Sequence, residues 1–361
     1  MWGGAEVWLM DMMNGLQQRG HSPFLICRKN TELAEKAIAK NFNVFPIRIA
    51  GDFDPFVIAN IYSIIKKNNI DTICTNMEKD LRIGGIAGKL AGVKGIIPSK
   101  EVDFPLKNTL RYKFFYNTIA TKVIVNSKAT FNTMTQSVSC IDKKKFEIIY
   151  KGIDIAQYDI PPSNNIRKEF HLQENIHIVT FVGRLNEQKG ISYLLEAWKN
   201  IHQQFPHAVL LLVGKGDMQL YIENFTQIHN LHSSIILTGF RTDIPSILLQ
   251  STMLVLPSLW EGFGYVLIEA MAAKIPTIAT AISSIPEIVV HEKSGILVEP
   301  KNSSQLQDAI TSLLSNPEKV KTMGLYGRKI VEKKFTIQIM LDNFEKIFLN
   351  EIGKNNEHKK I

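Results

Sequence analysis

The sequence predicts an α/β chain built as two doubly wound parallel-sheet domains in tandem. Three observations lead there. Short β-branched runs alternate with helical patterns from one end to the other, as βαβ units require. Several runs, among them Val179–Val182 and Ala208–Val213, are almost wholly apolar, which suits strands covered by helices on both faces. At 361 residues the chain exceeds what one core usually holds, and the stretch Asp159-Ile160-Pro161-Pro162-Ser163-Asn164-Asn165 reads as a linker near its middle.

In the first half, strands are expected at Pro23–Cys27, Val44–Ile49, Thr72–Thr75, Gly95–Pro98, Lys122–Val125 and Phe146–Tyr150. In the second half they fall at Ile176–Val182, Ala208–Val213, Ser234–Leu237, Met253–Leu256, Pro276–Ala279 and Gly295–Val298. Residues 1–158 then form a first domain, 159–335 a second, and 336–361 a closing helix (roughly Ile337–Ile352) with a polar tail. One element is out of place. The first helix, roughly Ala5–Arg19, follows a Gly-Gly turn that normally receives a strand, and here only Met1 and Trp2 precede it. Since the first strand of a doubly wound sheet is central, the expectation is a first domain lacking that strand. The alternatives are a natural start further upstream or an impaired domain.

Composition narrows the class. Hydrophobic content of 45% and charged content of 21% are ordinary for a globular protein. No apolar run approaches the roughly 18 residues of a membrane span, and the opening residues lack a signal-peptide pattern. Cys27, Cys74 and Cys140 have no metal-type spacing, and their odd number argues against a disulfide framework. A cytoplasmic location is expected. The formal charge of +8 is unevenly placed: residues 1–158 hold 22 basic and 14 acidic side chains, and the remainder balances. Such asymmetry points to an anionic partner, or to no more than a lysine-rich solvated surface.

Three strand-to-helix loops in the second half carry chemistry, because ligands of doubly wound sheets bind at the carboxyl ends of the strands. The first is Gly183-Arg184-Leu185-Asn186-Glu187-Gln188-Lys189-Gly190. Arg184 and Lys189 on it are suited to hold a diphosphate, although alone they would read as solvated loop cations. The second, Gly214-Lys215-Gly216-Asp217, permits close backbone approach. In the third, Gly262 and Gly264 allow a sharp turn into a helix start beside Glu261, while Glu269 stands more than a turn into that helix among apolar neighbours. A carboxylate there needs a partner from a ligand or from the protein.

Glu261 and Glu269 stand in the E-x7-E arrangement, and the sequence resembles the retaining GT-B glycosyltransferases of family 4 (glycosyl transferases group 1). Gly183-Arg184-Leu185 with Lys189-Gly190, Leu237-Thr238-Gly239-Phe240, Pro257-Ser258 and Glu287 before Gly295-Ile296-Leu297-Val298 match in order and spacing. The first half is looser, through Gly3-Gly4-Ala5-Glu6, Arg19-Gly20-His21, Val125-Asn126-Ser127 and Gly152-Ile153-Asp154. The resemblance implies two Rossmann-like domains facing a cleft, with the closing helix returning to the first. It implies transfer, with retention, of a hexose-type sugar from a UDP- or GDP-linked donor to a glycan or lipid-linked acceptor in cell-surface polysaccharide or lipopolysaccharide synthesis.

Residue by residue, Arg184 and Lys189 would grip the diphosphate and stabilise the leaving group. Glu269 would bind the ribose hydroxyls. Glu261, with the backbone of Gly262, Phe263 and Gly264, would hold the donor sugar. Gly239 and Phe240 would lie near the nucleobase, and Gly3 and Gly4 would approach the diphosphate from the first domain. No metal or cofactor is implied.

Many family members carry a histidine after the fourth strand of the first domain. Here Ile97-Pro98-Ser99-Lys100-Glu101-Val102-Asp103-Phe104-Pro105 has none, leaving Asp103 or Lys100 as candidates for that place. Lys151 stands where the family often has Asn. Leu110-Arg111-Tyr112-Lys113-Phe114-Phe115-Tyr116 interleaves bases with aromatics, which suits either contact with an anionic membrane at its inner face or an amphipathic helix packed on the sheet. Nucleic acid is not expected as a partner. Two rivals remain open, a non-catalytic glycosyltransferase-like partner subunit and a nucleotide-sugar epimerase of the same fold.

Overall fold

The computed structural model describes residues 4–49, 51–138 and 141–357, in two compact units, Met1–Gly152 with Ile337–Ile361, and Ile153–Thr336. Gly3, Cys140 and the end of the polar tail lie outside the described residues. All twelve expected strands form, with ends shifted by at most two residues and those of β3, β8, β10 and β12 not at all. In unit 1 they are β1 (Phe24–Arg28), β2 (Asn43–Ile47), β3 (Thr72–Thr75), β4 (Gly95–Lys100), β5 (Val123–Val125) and β6 (Phe146–Ile148). In unit 2 they are β7 (His177–Val182), β8 (Ala208–Val213), β9 (Ile235–Gly239), β10 (Met253–Leu256), β11 (Thr277–Thr280) and β12 (Gly295–Val298).

Unit 2 is one parallel sheet in the order β12-β11-β10-β7-β8-β9. The chain winds outward from β7 through β8 to β9, then returns to the other side of β7 for β10. The order therefore reverses between β7 and β10, and the loops after these strands diverge there to leave a crevice. β8 and β10 are buried along their whole length because helices cover both faces. Helix Ile191–Gln204 covers one of them with Leu194, Leu195, Ala197, Trp198 and Ile201, an apolar stripe at helical spacing.

β1 pairs only with β2, and β3-β4-β5-β6 form a separate parallel sheet. Among the described residues no strand joins β1 to β3, and a shared layer of helices carries the connection instead. Helices Pro55–Lys67 and Glu78–Ala91 set Val57, Ile61, Ile65, Ile83 and Ala87 against Ile26 of β1, Ile47 of β2 and Ile73 of β3.

Helix Gly4–Gln18 meets the C-terminal helix Ile337–Glu357 within this unit. The Trp8 indole donates to Met340 Sδ at 2.9 Å and its ring lies 5.8 Å from that of Phe344. On either side of the left-handed Gly20, Arg19 pairs with Asp342 at 2.7 Å and Glu345 at 2.8 Å, and His21 Nε2 meets Glu345 at 2.7 Å. His21 is thus part of the clasp on this helix.

The boundary also moves. Ile153 N donates to Phe335 O at 2.9 Å and pairs with Thr336, so residues 153–158 belong to unit 2. The linker that follows is anchored as well, through Asp159 to Arg328 Nη2 at 2.6 Å.

Candidate active site

Three loops interlock at the carboxyl edge of unit 2. Gly183 N donates to Val213 O at 2.9 Å, Leu185 N to Lys215 O at 3.0 Å, and Met218 N to Leu185 O at 3.0 Å, so the loops after β7 and β8 are sewn together through their backbones. At Gly214 (φ 144°) an added Cβ would sit 1.9 Å from Gly183 O, which only glycine permits. The loop after β10 joins through Leu259 N to Gln188 O at 2.7 Å and Gln188 Nε2 to Trp260 O at 3.1 Å. From beneath, Thr280 Oγ1 donates to Ser258 O at 2.5 Å, and Ser284 Oγ reaches Gly262 O at 3.2 Å and Phe263 O at 3.1 Å. The loops are rigid because their backbone groups are tied to one another.

On this frame the structure brings Lys189 and Glu261 together across the switch point. Lys189 Nζ lies 2.6 Å from Glu261 Oε2 and 3.0 Å from Oε1, with both side chains largely buried. Sequence reasoning gave these residues separate ligand roles; the structure makes each a partner of the other. Arg184 is exposed, and its side chain makes no hydrogen bond or ion pair among the described residues, so its guanidinium is available to an anion. Gly264, left-handed at φ 82°, opens helix Tyr265–Ala272 at this edge and aims the positive end of the helix dipole at it. Phe263 turns its side chain into the core, its ring 6.1 Å from Phe335, so only its backbone faces the loop.

Glu269 finds the protein partner its position demands. Tyr158 Oη donates to Glu269 Oε1 at 3.1 Å, and Tyr158 is itself buried. Sequence reasoning missed Tyr158, which sits in a 3-10 turn, Ile155–Tyr158, assigned from sequence to the other domain. Tyr158→Phe is expected to cost about 1 kcal/mol of stability and to weaken donor binding severalfold by releasing the carboxylate. An unchanged nucleotide-induced thermal shift in this variant would remove Tyr158 from the site. Gly239 (φ 71°) ends β9, and Phe240 beside it is 50% exposed, a flat apolar face at the same edge. Its neighbour Arg241 is committed elsewhere, to Glu169 and Asp243.

In unit 1, the carboxyl end of β4 carries a compact charged cluster. Lys100 and Lys151 are buried and pair with Glu78 and Glu101 respectively. Ser99 Oγ donates to Glu101 Oε1 at 2.5 Å, and Lys151 Nζ lies 2.9 Å from the centre of the Trp8 ring. The lysine that stands in place of the family's Asn therefore comes with its own carboxylate, Glu101. Asp103, half-buried, follows on the largely exposed loop 101–109 beyond this cluster. Gly4 begins the first helix, while Gly3 lies outside the described residues.

Burial pushes the Lys151 ammonium down to about 8, against the opposing pull of Glu101. The unfolded chain then binds more protons between pH 8 and the ordinary lysine value near 10.4, so this group's burial cost is full below pH 8 and fades as pH rises. The unfolding midpoint of wild type relative to Lys151→Met should accordingly move in favour of wild type between pH 8 and 10. A flat difference across that window would contradict the buried placement.

Asp52-Phe53-Asp54 is the chain's Asp-x-Asp spacing. Both carboxylates are committed, Asp52 to Arg82 and, at 3.8 Å, to Lys79, and Asp54 to Phe56 N and Val57 N at 3.0 and 3.3 Å as a helix cap.

Comparison with known proteins decides the family. The family model described as glycosyl transferases group 1 matches residues 162–330, and glycosyltransferase family 4 matches residues 2–157. The chain belongs to the GT-B glycosyltransferases of family 4. It is 26% identical to the UDP-Gal:alpha-D-GlcNAc-diphosphoundecaprenol alpha-1,3-galactosyltransferase of Escherichia coli, over 96% of this chain and 97% of that protein. An uncharacterized glycosyltransferase of Methanocaldococcus jannaschii is 30% identical over 67% of this chain and 64% of its own length. Among solved structures, a glycosyltransferase from Rickettsia africae superposes with a TM-score of 0.86 at 24% identity, covering 98% of this chain and 96% of that one. Anabaena HepE in complex with UDP gives 0.85 at 22% identity, covering 96% of each. These structures share the GT-B fold. Like its relatives, this family 4 chain is a glycosyltransferase, and among its described residues no helix is long and apolar enough to cross a membrane.

Proposed function

We propose that this family 4 enzyme transfers a hexose-type sugar, with retention and without a metal ion, from a nucleotide diphosphate sugar to a glycan or lipid-linked acceptor in cell-surface polysaccharide or lipopolysaccharide synthesis. The observation that carries the reading is the Lys189–Glu261 contact at the β7/β10 switch point, with exposed Arg184 on the same loop as Lys189. A UDP-linked donor is favoured, because the E. coli relative is named for UDP-Gal and the Anabaena neighbour was solved with UDP and with UDP-glucose. The lipid-diphosphate acceptor in that relative's name supports a lipid-linked acceptor here.

In this mechanism the donor diphosphate takes Lys189 partly away from Glu261 and adds Arg184. The two cations then stabilise the charge that develops as the bond between the sugar C1 and the phosphate oxygen breaks. Glu261, released from part of its ion pair, accepts from donor sugar hydroxyls. Glu269, held by Tyr158, accepts from the ribose. Gly239 and Phe240 offer the base its resting surface. The acceptor oxygen attacks C1 from the face the leaving group departs, and a donor phosphate oxygen takes the acceptor proton. Glu261 and Glu269 hold the donor and do not serve as an acid and base pair.

A thermal-shift screen of UDP- and GDP-sugars, followed by NMR of the product anomer in the presence of EDTA, tests each part. A UDP-sugar should raise the melting point, and the new linkage should keep the donor's anomeric configuration. An inverted product, or activity abolished by EDTA and restored by a divalent cation, would overturn the proposed chemistry. Donor binding with no transfer to any glycan or lipid-linked acceptor would favour the partner-subunit reading.

A further inference from the structure

Around the loops of unit 2, Lys189 holds Glu261, and Arg241 holds Glu169 and Asp243. Lys215 has no such commitment. It is exposed on the loop after β8, and among the described residues its side chain makes no hydrogen bond or ion pair, not even with Asp217 two residues on.

The backbone beneath it is nonetheless fixed. Lys215 O accepts from Leu185 N at 3.0 Å, beside Arg184, and Gly214 N donates to Gly239 O at 2.9 Å. An added Cβ at Gly216 would lie 2.0 Å from Leu185 O, so the turn after Lys215 is packed against its neighbour. The loop after β8 is thereby held between the loops after β7 and β9.

The side chain also has a definite direction. A Cβ added at Gly239 would lie 3.6 Å from Lys215 Cε, so the lysine stem runs from β8 onto Gly239 at the end of β9, and the ammonium is one bond further. In the order β12-β11-β10-β7-β8-β9, that direction leads away from the β7/β10 switch point, the place of Arg184, Lys189 and Gly264. β9 is the edge strand, two strand spacings or about 10 Å from β7. Phe240, the residue after Gly239, is half exposed there. An aromatic face and an uncommitted ammonium therefore stand together at the outer end of the sheet edge.

We propose that Lys215 reads the keto oxygen at the far end of the donor's base, O4 of uracil or O6 of guanine, and so sets which nucleotides the enzyme accepts. The assignment rests on the nucleotide-sugar reading above. A flat base stacks on an aromatic face, which Phe240 offers whatever the base. A lysine ammonium only donates hydrogen bonds. It suits a keto oxygen and is mismatched to the amino group that cytosine and adenine carry at the same place. Facing that amino group, the ammonium would lose water and gain no acceptor. The oxygen lies across the base from its bond to the ribose, so with the diphosphate at the switch point it falls toward β9. Arg184 and Lys189 then grip any nucleoside diphosphate alike, and Lys215 separates one base from another.

Titration calorimetry with UDP against CDP, and GDP against ADP, tests it. The members of each pair share ribose and diphosphate and differ on the base edge that Lys215 would meet. Wild type should bind the keto member of its preferred pair at least about tenfold more tightly than the amino member. Lys215→Met keeps the stem and removes the donor. It should weaken the keto nucleotide by about tenfold and leave the amino one within about twofold, so that the discrimination disappears. Lys215→Arg should retain most of it. The side chain is exposed, so the melting point without ligand should not move in either variant. Equal weakening of both members in Lys215→Met overturns the assignment in favour of a diphosphate contact, and unchanged binding overturns it outright. Wild type that binds both members of each pair equally overturns it while the donor reading stands. Wild type that binds none of the four overturns the donor reading and this assignment with it.

Discussion

Lys189→Ala should lower kcat/KM for transfer by at least about a hundredfold, the loss typical of removing one preorganised group that stabilises developing charge. The side chain pairs with Glu261 at 2.6 Å, and in the proposed mechanism it also meets the diphosphate. Its removal also leaves a largely buried carboxylate without its cation, so a modest fall in melting point should accompany the loss. Glu261→Gln separates the two roles. It leaves the cation in place and should act mainly through donor KM, while the double variant should fall well short of the sum of the two single effects. Arg184→Ala should cost a comparable hundredfold with no change in melting point, since its exposed side chain pairs with nothing among the described residues. Full transfer activity in Lys189→Ala would sink the site.

Gly214→Ala should be among the most disruptive single methyl additions in unit 2. The added carbon would lie 1.9 Å from Gly183 O, and that carbonyl belongs to the loop holding Arg184 and Lys189. A backbone atom tied into the sheet cannot rotate away as a side chain would. The expected cost is about 3 kcal/mol or more. For a unit of this size, each kcal/mol lowers the melting point by roughly 2–4 °C, and differential scanning calorimetry resolves that easily. Donor affinity should fall too, because the clash pushes on the peptide just before Arg184. A melting point within a degree of wild type would mean that the two loops are not packed as described.

The strands were legible because each is a short β-branched run between turn signals, and β8, β10 and β12 begin and end where those runs do. The loops after β7, β8 and β10 were legible for the same reason, since glycine marks each of them. Pairings made across the fold were not. Lys189 and Glu261 are 72 residues apart, and neither sequence neighbourhood states that the order of strands brings them into contact. Tyr158 gave no signal because a lone aromatic in a 3-10 turn has no periodicity, and the proline-rich stretch just after it looked like the natural boundary. The pairing of Ile153 with Thr336, set by packing, decided the boundary instead. At Leu110–Tyr116 a helical repeat assumed over all seven residues hid the π turn that buries the last two, Phe115 and Tyr116.

Unit 2 is a single uninterrupted stretch of chain, whereas unit 1 is assembled from both ends of the sequence. A ribosome releases the amino-terminal end first, yet the indole of Trp8 waits for Met340, 332 residues later. At ordinary synthesis rates that wait is on the order of half a minute. During it, the face of helix Gly4–Gln18 that will receive the C-terminal helix has no cover, while unit 2 can complete its own sheet as soon as β12 and the helices after it emerge. Helix Gly4–Gln18 is thus made long before its unit can close, and nascent chains stalled before residue 337 should present a finished unit 2 together with an unfinished unit 1.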